Sequence, residues 1–108
     1  MTCRGAMFAA LACGSIAAFA SVADAAIVRV TISNIAYAPA KIAAHVGDTM
    51  EWDNKDFVVH TATARNGAWD VNLPAGKSGR VLLKKAGKIG YYCRFHPNMK
   101  GEIDVSAK

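Results

Sequence analysis

From residue 27 to residue 106 the sequence is written largely in period two, and that pattern more than any other limits what the chain can become. Val28, Val30 and Ile32 alternate with Arg29, Thr31 and Ser33. Ile42, Ala44 and Val46 alternate with Lys41, Ala43 and His45, and Met50 and Trp52 with Thr49, Glu51 and Asp53. Val81 and Leu83, then Ile89, Tyr91 and Cys93, then Ile103 and Val105 repeat the device. Successive side chains of an extended chain point to opposite sides, so each run makes a short strand with one buried face. Tyr37-Ala38-Pro39, Gly47-Asp48, Asn54-Lys55-Asp56, Asn66-Gly67, Leu73-Pro74-Ala75-Gly76 and Ala86-Gly87 punctuate the runs as turns. No helical stripe competes with this pattern. The expectation is an all-β fold, a β-sandwich or barrel of about seven or eight strands. With 108 residues the chain makes one domain with a small core, which a bound ion would stabilise.

The N-terminal stretch has a different grammar. Arg4 is followed by an uncharged, Ala-rich run over residues 5–23, and Ala23-Asp24-Ala25 has the small-residue form of a signal-peptidase site. Residues 1–25 are therefore expected to be a secretory signal peptide, with the functional domain at 26–108; cleavage after Ala23 is the second choice. The run is too Ala-rich to make a strong membrane span. Leu11-Ala12-Cys13-Gly14 only partly resembles a lipid-attachment site, because Ala10 stands where a leucine is usual. Export from the cytoplasm follows from this reading.

Of the three cysteines, Cys3 and Cys13 leave with the leader, and Cys93 alone remains. It has no internal partner for a disulfide. A lone thiol in an oxidising compartment is best explained if it is buried or bound to a metal. The net charge is +5 and is unchanged when the leader takes away Arg4 and Asp24. A basic surface attracts acidic partners and speeds their encounter. No basic run with interleaved aromatics is present, so nucleic acid is not expected as a partner.

Chemistry concentrates in Tyr91-Tyr92-Cys93-Arg94-Phe95-His96-Pro97-Asn98-Met99-Lys100-Gly101. A thiol, an imidazole and a thioether recur at three-residue intervals, between a strand ending at Cys93 and one expected to start near Gly101. Each alone has an ordinary reading: a buried free cysteine, a loop histidine, a core methionine. Together they form a soft donor set. Thiolate and thioether select soft ions and imidazole suits copper or zinc, but zinc prefers several Cys or His ligands. Two histidines and a cysteine with a weak axial methionine are the blue-copper arrangement. The second histidine is expected to be His60, upstream in the strand-like run Phe57-Val58-Val59-His60-Thr61-Ala62-Thr63. The metal ligands are thus His60, Cys93, His96 and Met99. His45, of outward parity, is left outside the site. Trp52 and Trp69 are assigned to the core or its margin, and Tyr92 to the surface.

His60 with Cys93-x2-His96-x2-Met99-x-Gly101 resembles the cupredoxin family, above all its small amicyanin-like, plastocyanin-like and pseudoazurin-like members. Ala36-Tyr37-Ala38-Pro39-Ala40-Lys41-Ile42 and Val46-Gly47-Asp48-Thr49-Met50-Glu51-Trp52 extend the similarity, which covers residues 27–106. The resemblance implies a Greek-key β-sandwich, one type 1 copper, and a soluble carrier of single electrons. Two positions depart from the family pattern. Thr61 stands where Asn is common after the first histidine ligand. Phe95 stands where the short-loop members have Pro; its N–H is expected to reach the Cys93 sulfur and raise the reduction potential.

The functional expectation is a periplasmic electron carrier that cycles Cu(II)/Cu(I) and passes electrons through His96. Its partners would be redox proteins with an acidic docking patch, with Arg94 and Lys100 helping to dock. It would act as a monomer, without a small-molecule substrate. Four protein ligands leave no open metal position, which argues against an enzyme. The alternative is a protein for copper storage or delivery; such proteins favour Met-rich or paired-Cys sites, whereas Met50 and Met99 are the only methionines after the leader.

Overall fold

The alternating runs become two facing sheets. The computed structural model describes residues 25–107, and these contain strands, turns and loops but no helix. Residues 1–24, most of the expected signal peptide, lie outside the described residues, as does Lys108. The strands are β1 (Ile27–Ile32), β2 (Tyr37–Ala38), β3 (Lys41–His45), β4 (Thr49–Asn54), β5 (His60–Ala64), β6 (Asp70–Leu73), β7 (Ser78–Leu82), β8 (Gly87–Cys93) and β9 (His96–Ser106). One sheet has the order β2-β1-β4-β7 and the other β3-β9-β8-β5-β6. In each sheet an early strand pairs in parallel with a later one: Val30 lies opposite Trp52, and Ala44 opposite Val105. Such pairs require the chain to cross between sheets, and the crossings make the fold a sandwich and not a meander.

The inward parities meet between the sheets. Val30, Ile32, Met50 and Trp52 from one sheet face Ala62, Leu73, Tyr91, Ile103 and Val105 from the other, all buried. Trp52 is fully buried, with Tyr91 edge-on at 5.4 Å and Trp69 at 6.1 Å between ring centres. Gly101 lies opposite Tyr91 across β8 and β9. A Cβ at this position would fall 2.4 Å from the Tyr91 ring, so only glycine lets that ring lie against the strand.

The structure departs from the alternation in three places. β2 and β6 are short strands in stretches dominated by turn signals. β9 begins at His96, five residues before the expected start near Gly101. Glu51 has outward parity but is only 8% exposed, because Arg29 and Arg80 close over its carboxylate at 3.2 and 2.7 Å.

Candidate metal centre

His60 is delivered by a loop that is built from the inside. Asn54, buried at the end of β4, donates from Nδ2 to the carbonyls of Val58 and Leu73 at 2.9 and 3.0 Å. Its Oδ1 accepts the Asp56 N–H at 2.9 Å. The chain between β4 and β5 is thereby wrapped around one amide side chain. Phe57, expected within a strand-like run, lies in this loop and is 98% exposed. Asp56 points inward from the same loop. Its carboxylate accepts the N–H groups of Asn34 and Ile35 at 2.8 and 2.9 Å, and meets His60 Nε2 at 2.8 Å. Both Asn34 and Ile35 have left-handed backbones, with φ of 55° and 58°. For the β-branched Ile35 that conformation is unfavourable, and the carboxylate holds it in place. The Ile35 amide, with the His60 ring behind it, holds the Asp56 carboxyl below the usual carboxylate range. An ionised carboxylate only accepts, so His60 Nε2 carries the proton and the Nδ1 lone pair is left to coordinate.

The other donors sit on the β8–β9 hairpin. Its ladder runs regularly from Gly87↔Val105 to Tyr92↔Lys100, and the next pair is Cys93↔His96. The register slips there by three residues, so Pro97, Asn98 and Met99 bulge from β9. The bulge has a chemical result: His96 and Met99 have opposite parity in a regular strand, and the slip lets both serve the tip. Cys93 is fully buried, Met99 is 4% exposed, and His96 is half-buried.

The three donors from His60, Cys93 and His96 converge, with their ligand atoms all within 4.8 Å of one another. Cys93 Sγ lies 3.7 Å from Nδ1 of His60 and 3.7 Å from Nδ1 of His96. Donors that share an ion at roughly 2.0–2.3 Å each and a wide angle are separated by about that distance. The set is one cysteine sulfur and two imidazoles, with the buried Met99 thioether on the same hairpin, which suits copper and not a structural zinc site. The imidazole rings are 5.0 Å apart, tilted by 55°.

Thr61 completes the setting. It is fully buried; its N–H meets Cys93 Sγ at 3.4 Å, and its hydroxyl accepts the Arg94 N–H at 2.9 Å. Its carbonyl accepts the Tyr37 hydroxyl, whose proton is held more firmly than usual by burial and by the nearby Cys93. Thr61 thus links β5 to the ligand hairpin through its hydroxyl, where Asn is common in the family. The expected N–H contact from Phe95 to the Cys93 sulfur is not found. Among the described residues the backbone donor on that sulfur is Thr61, and Phe95 is 51% exposed. Replacing Pro by Phe at position 95 frees an N–H, but the turn at Arg94–Phe95 does not bring it to sulfur.

His45 is outside the cluster; its side chain is 65% exposed and lies 3.8 Å from Asp48. Asp56, Asn54 and Asp70 were not singled out from the sequence. Asn54-Lys55-Asp56 was legible only as a turn, although a carboxylate four residues before a histidine ligand was a usable signal.

Residues 4–105 match the family of cupredoxin-like domains, a match that begins inside the expected leader. Amicyanin of Paracoccus denitrificans is 32% identical over 103 residues, covering 82% of this chain and 71% of that protein. Among solved structures, a purple cupredoxin from Nitrosopumilus maritimus superposes with a TM-score of 0.66 at 26% identity, covering 73% of this chain and 99% of that one. The reduced state of a proline-to-phenylalanine mutant of amicyanin gives 0.65 at 28% identity, with 81% and 88% covered. With a matching sandwich and donor set, the chain belongs to the cupredoxin-like family, whose members include electron carriers such as amicyanin and whose cofactor is one type 1 copper.

Proposed function

We propose that this protein is an exported carrier of single electrons, with His60, Cys93, His96 and Met99 holding its copper. The observation that carries the reading is the pair of equal Sγ–Nδ1 distances on either side of Cys93. Copper supplies the one-electron couple when bound. The protein's task is to hold its donors still in both oxidation states. The sandwich and Asp56 fix His60, and Thr61 fixes Cys93. Four protein donors leave no position for substrate, so the chain is not an enzyme.

His96 is the donor nearest the surface and serves as the electron's exit. Exposed apolar side chains surround this end: Phe57 and Val58 in the loop before His60, Ile35 beside Asp56, and Phe95 next to His96. They form the docking face for a redox protein. Lys100 adds positive charge at its rim, whereas Arg94 is held 3.1 Å from Asp70 and contributes less. Complementary acidic groups on the partner would orient the encounter. The carrier acts as a monomer, in the periplasm, after loss of residues 1–25.

The test is to add Cu(II) to residues 26–108 and record visible and electron paramagnetic resonance spectra. An intense blue colour with a reversible one-electron wave is expected. A chain that stays colourless with cupric ion and oxidant overturns the reading. A Cu(I) form that readily yields its metal to a chelator would make copper delivery the function instead.

A further inference from the structure

Asp70 lies on β6, outside every motif and every donor position, yet two routes lead from it to the ligand hairpin. Thr63 Oγ1 lies 2.8 Å from Asp70 Oδ1 and 2.9 Å from Thr61 Oγ1, and Arg94 Nε lies 3.1 Å from Asp70 Oδ1. The directions of these bonds can be assigned. The Arg94 N–H donates to Thr61 Oγ1, since an amide nitrogen has nothing to accept with. The carboxylate of Asp70 can only accept, so the Thr63 hydroxyl gives it its proton. Thr63 Oγ1 can then only accept from the Thr61 hydroxyl. The bonds run one way, from the Arg94 amide through Thr61 and Thr63 to Asp70, and the Arg94 guanidinium closes the ring on the same oxygen. A one-way chain that ends on a charge is strengthened by polarisation along its length.

Both residues bound by this ring adjoin donors: Thr61 follows His60, and Arg94 follows Cys93. The Thr61 N–H is also the backbone donor on the Cys93 sulfur. We infer that Asp70 is a positioning residue for the Cys93 thiolate, which braces Thr61 and the ligand hairpin from outside the site and thereby sets the reduction potential. The inference rests on the proposed copper site. A hydrogen bond to the thiolate favours the reduced state and raises the potential. Loosening the ring weakens that bond and lowers the potential. Loss of the Asp70 negative charge alone acts in the opposite sense, because a less negative surrounding disfavours Cu(II). The two explanations therefore predict opposite signs.

The experiment compares the copper-loaded purified chain with Asp70→Ala, Thr63→Val and Asp70→Asn, and with Asp104→Asn as an exposed charge control on β9. Voltammetry, the copper hyperfine splitting and the sulfur-to-copper absorption band are read for each. Amide hydrogen exchange at Thr61 and Arg94 is read in the metal-free chains. Asp70→Ala is expected to lower the one-electron equilibrium constant for reduction roughly threefold, about 28 mV at about 59 mV per decade. The absorption band and the splitting should shift with it. Thr63→Val, which leaves the net charge unchanged, should lower it in the same direction and by less. Asp70→Asn keeps an acceptor for Thr63 and should restore most of the wild-type spectrum. Both amides should exchange roughly threefold faster in Asp70→Ala. A potential in Asp70→Ala that is unchanged or raised, as in Asp104→Asn, overturns the inference, even if the melting temperature falls. If Asp70→Ala does not fold, Thr63→Val decides alone. A wild type that takes no copper is the failure of the copper site, and the exchange rates then decide whether the brace exists without it.

Discussion

The centre has two flanks built on opposite plans. His60 stands at the head of an inner strand with a fully buried side chain, and its Asp56 partner is only 15% exposed. The other flank is a hairpin tip: His96 is half-buried, Phe95 beside it is open to solvent, and the outer brace is the exposed pair Arg94 and Asp70, at 41% and 53%. One imidazole is a wall and the other is a window. The same residue type is sheltered by the sandwich on one flank and reaches toward solvent on the other.

The largest expected effect follows from removing donors on each flank. Cys93→Ser should abolish the sulfur-to-copper band outright. His96→Gly leaves an opening at the surface and should recover a blue spectrum when imidazole is supplied. His60→Gly leaves a gap walled in by Asp56 and the sandwich, and the same imidazole should not restore it. Equal recovery in both, measured by titration at the visible band, breaks the contrast between wall and window. Next comes Gly101→Ala, which drives a methyl group into the Tyr91 ring behind the hairpin. It should destabilise the metal-free chain by about 1–3 kcal/mol in urea unfolding.

The two braces should differ in cost. Asp56→Ala strips charged acceptors from two left-handed amides and His60, and should cost the metal-free chain about 2 kcal/mol. Asp70→Ala breaks a more exposed pair and should cost less than about 1 kcal/mol. Urea unfolding of the two variants at equal salt checks this order. The smallest effect is in acid. Asp70 is held below the usual carboxylate range by its hydrogen bond from Thr63 and then by Arg94, and Asp48 by the N–H groups of Ala26 and His45. A carboxyl lowered by folding contributes stability above its unfolded pKa, near 3.9, and loses it as pH falls through its folded value. The metal-free chain should hold its stability from neutral pH to about pH 5 and lose it below about pH 4. Asp70→Asn should lose less than wild type over that fall, with melting temperature against pH as the measurement.

Much of this was legible in the sequence because it depended on parity. Val30, Ile32, Trp52, Tyr91, Ile103 and Val105 are inward by alternation, and they are buried. Cys93, His96 and Met99 were conspicuous as soft donors at equal spacing, and His60 was the upstream imidazole that donor chemistry required. Geometry that depends on partners far along the chain was not legible. The three-residue slip in β9 arises where the chain leaves regular pairing, and alternation cannot report it. Asp56, Thr63 and Asp70 are ordinary turn and strand residues until folding brings them together. The Phe95 expectation failed for a related reason: its identity shows that an N–H exists, and only the turn shows where it points.

The slip in β9 also says where the molecule should open first. Below Tyr92 the hairpin is held by rung after rung; above it Pro97, Asn98 and Met99 have no rungs opposite them. Without its ion the tip keeps the single pair Cys93↔His96 and the bonds of Arg94 to Thr61 and Asp70, and it should breathe on timescales at which the sandwich stays shut. A shared ion would supply the missing cross-link, so loading and local closure would be one event.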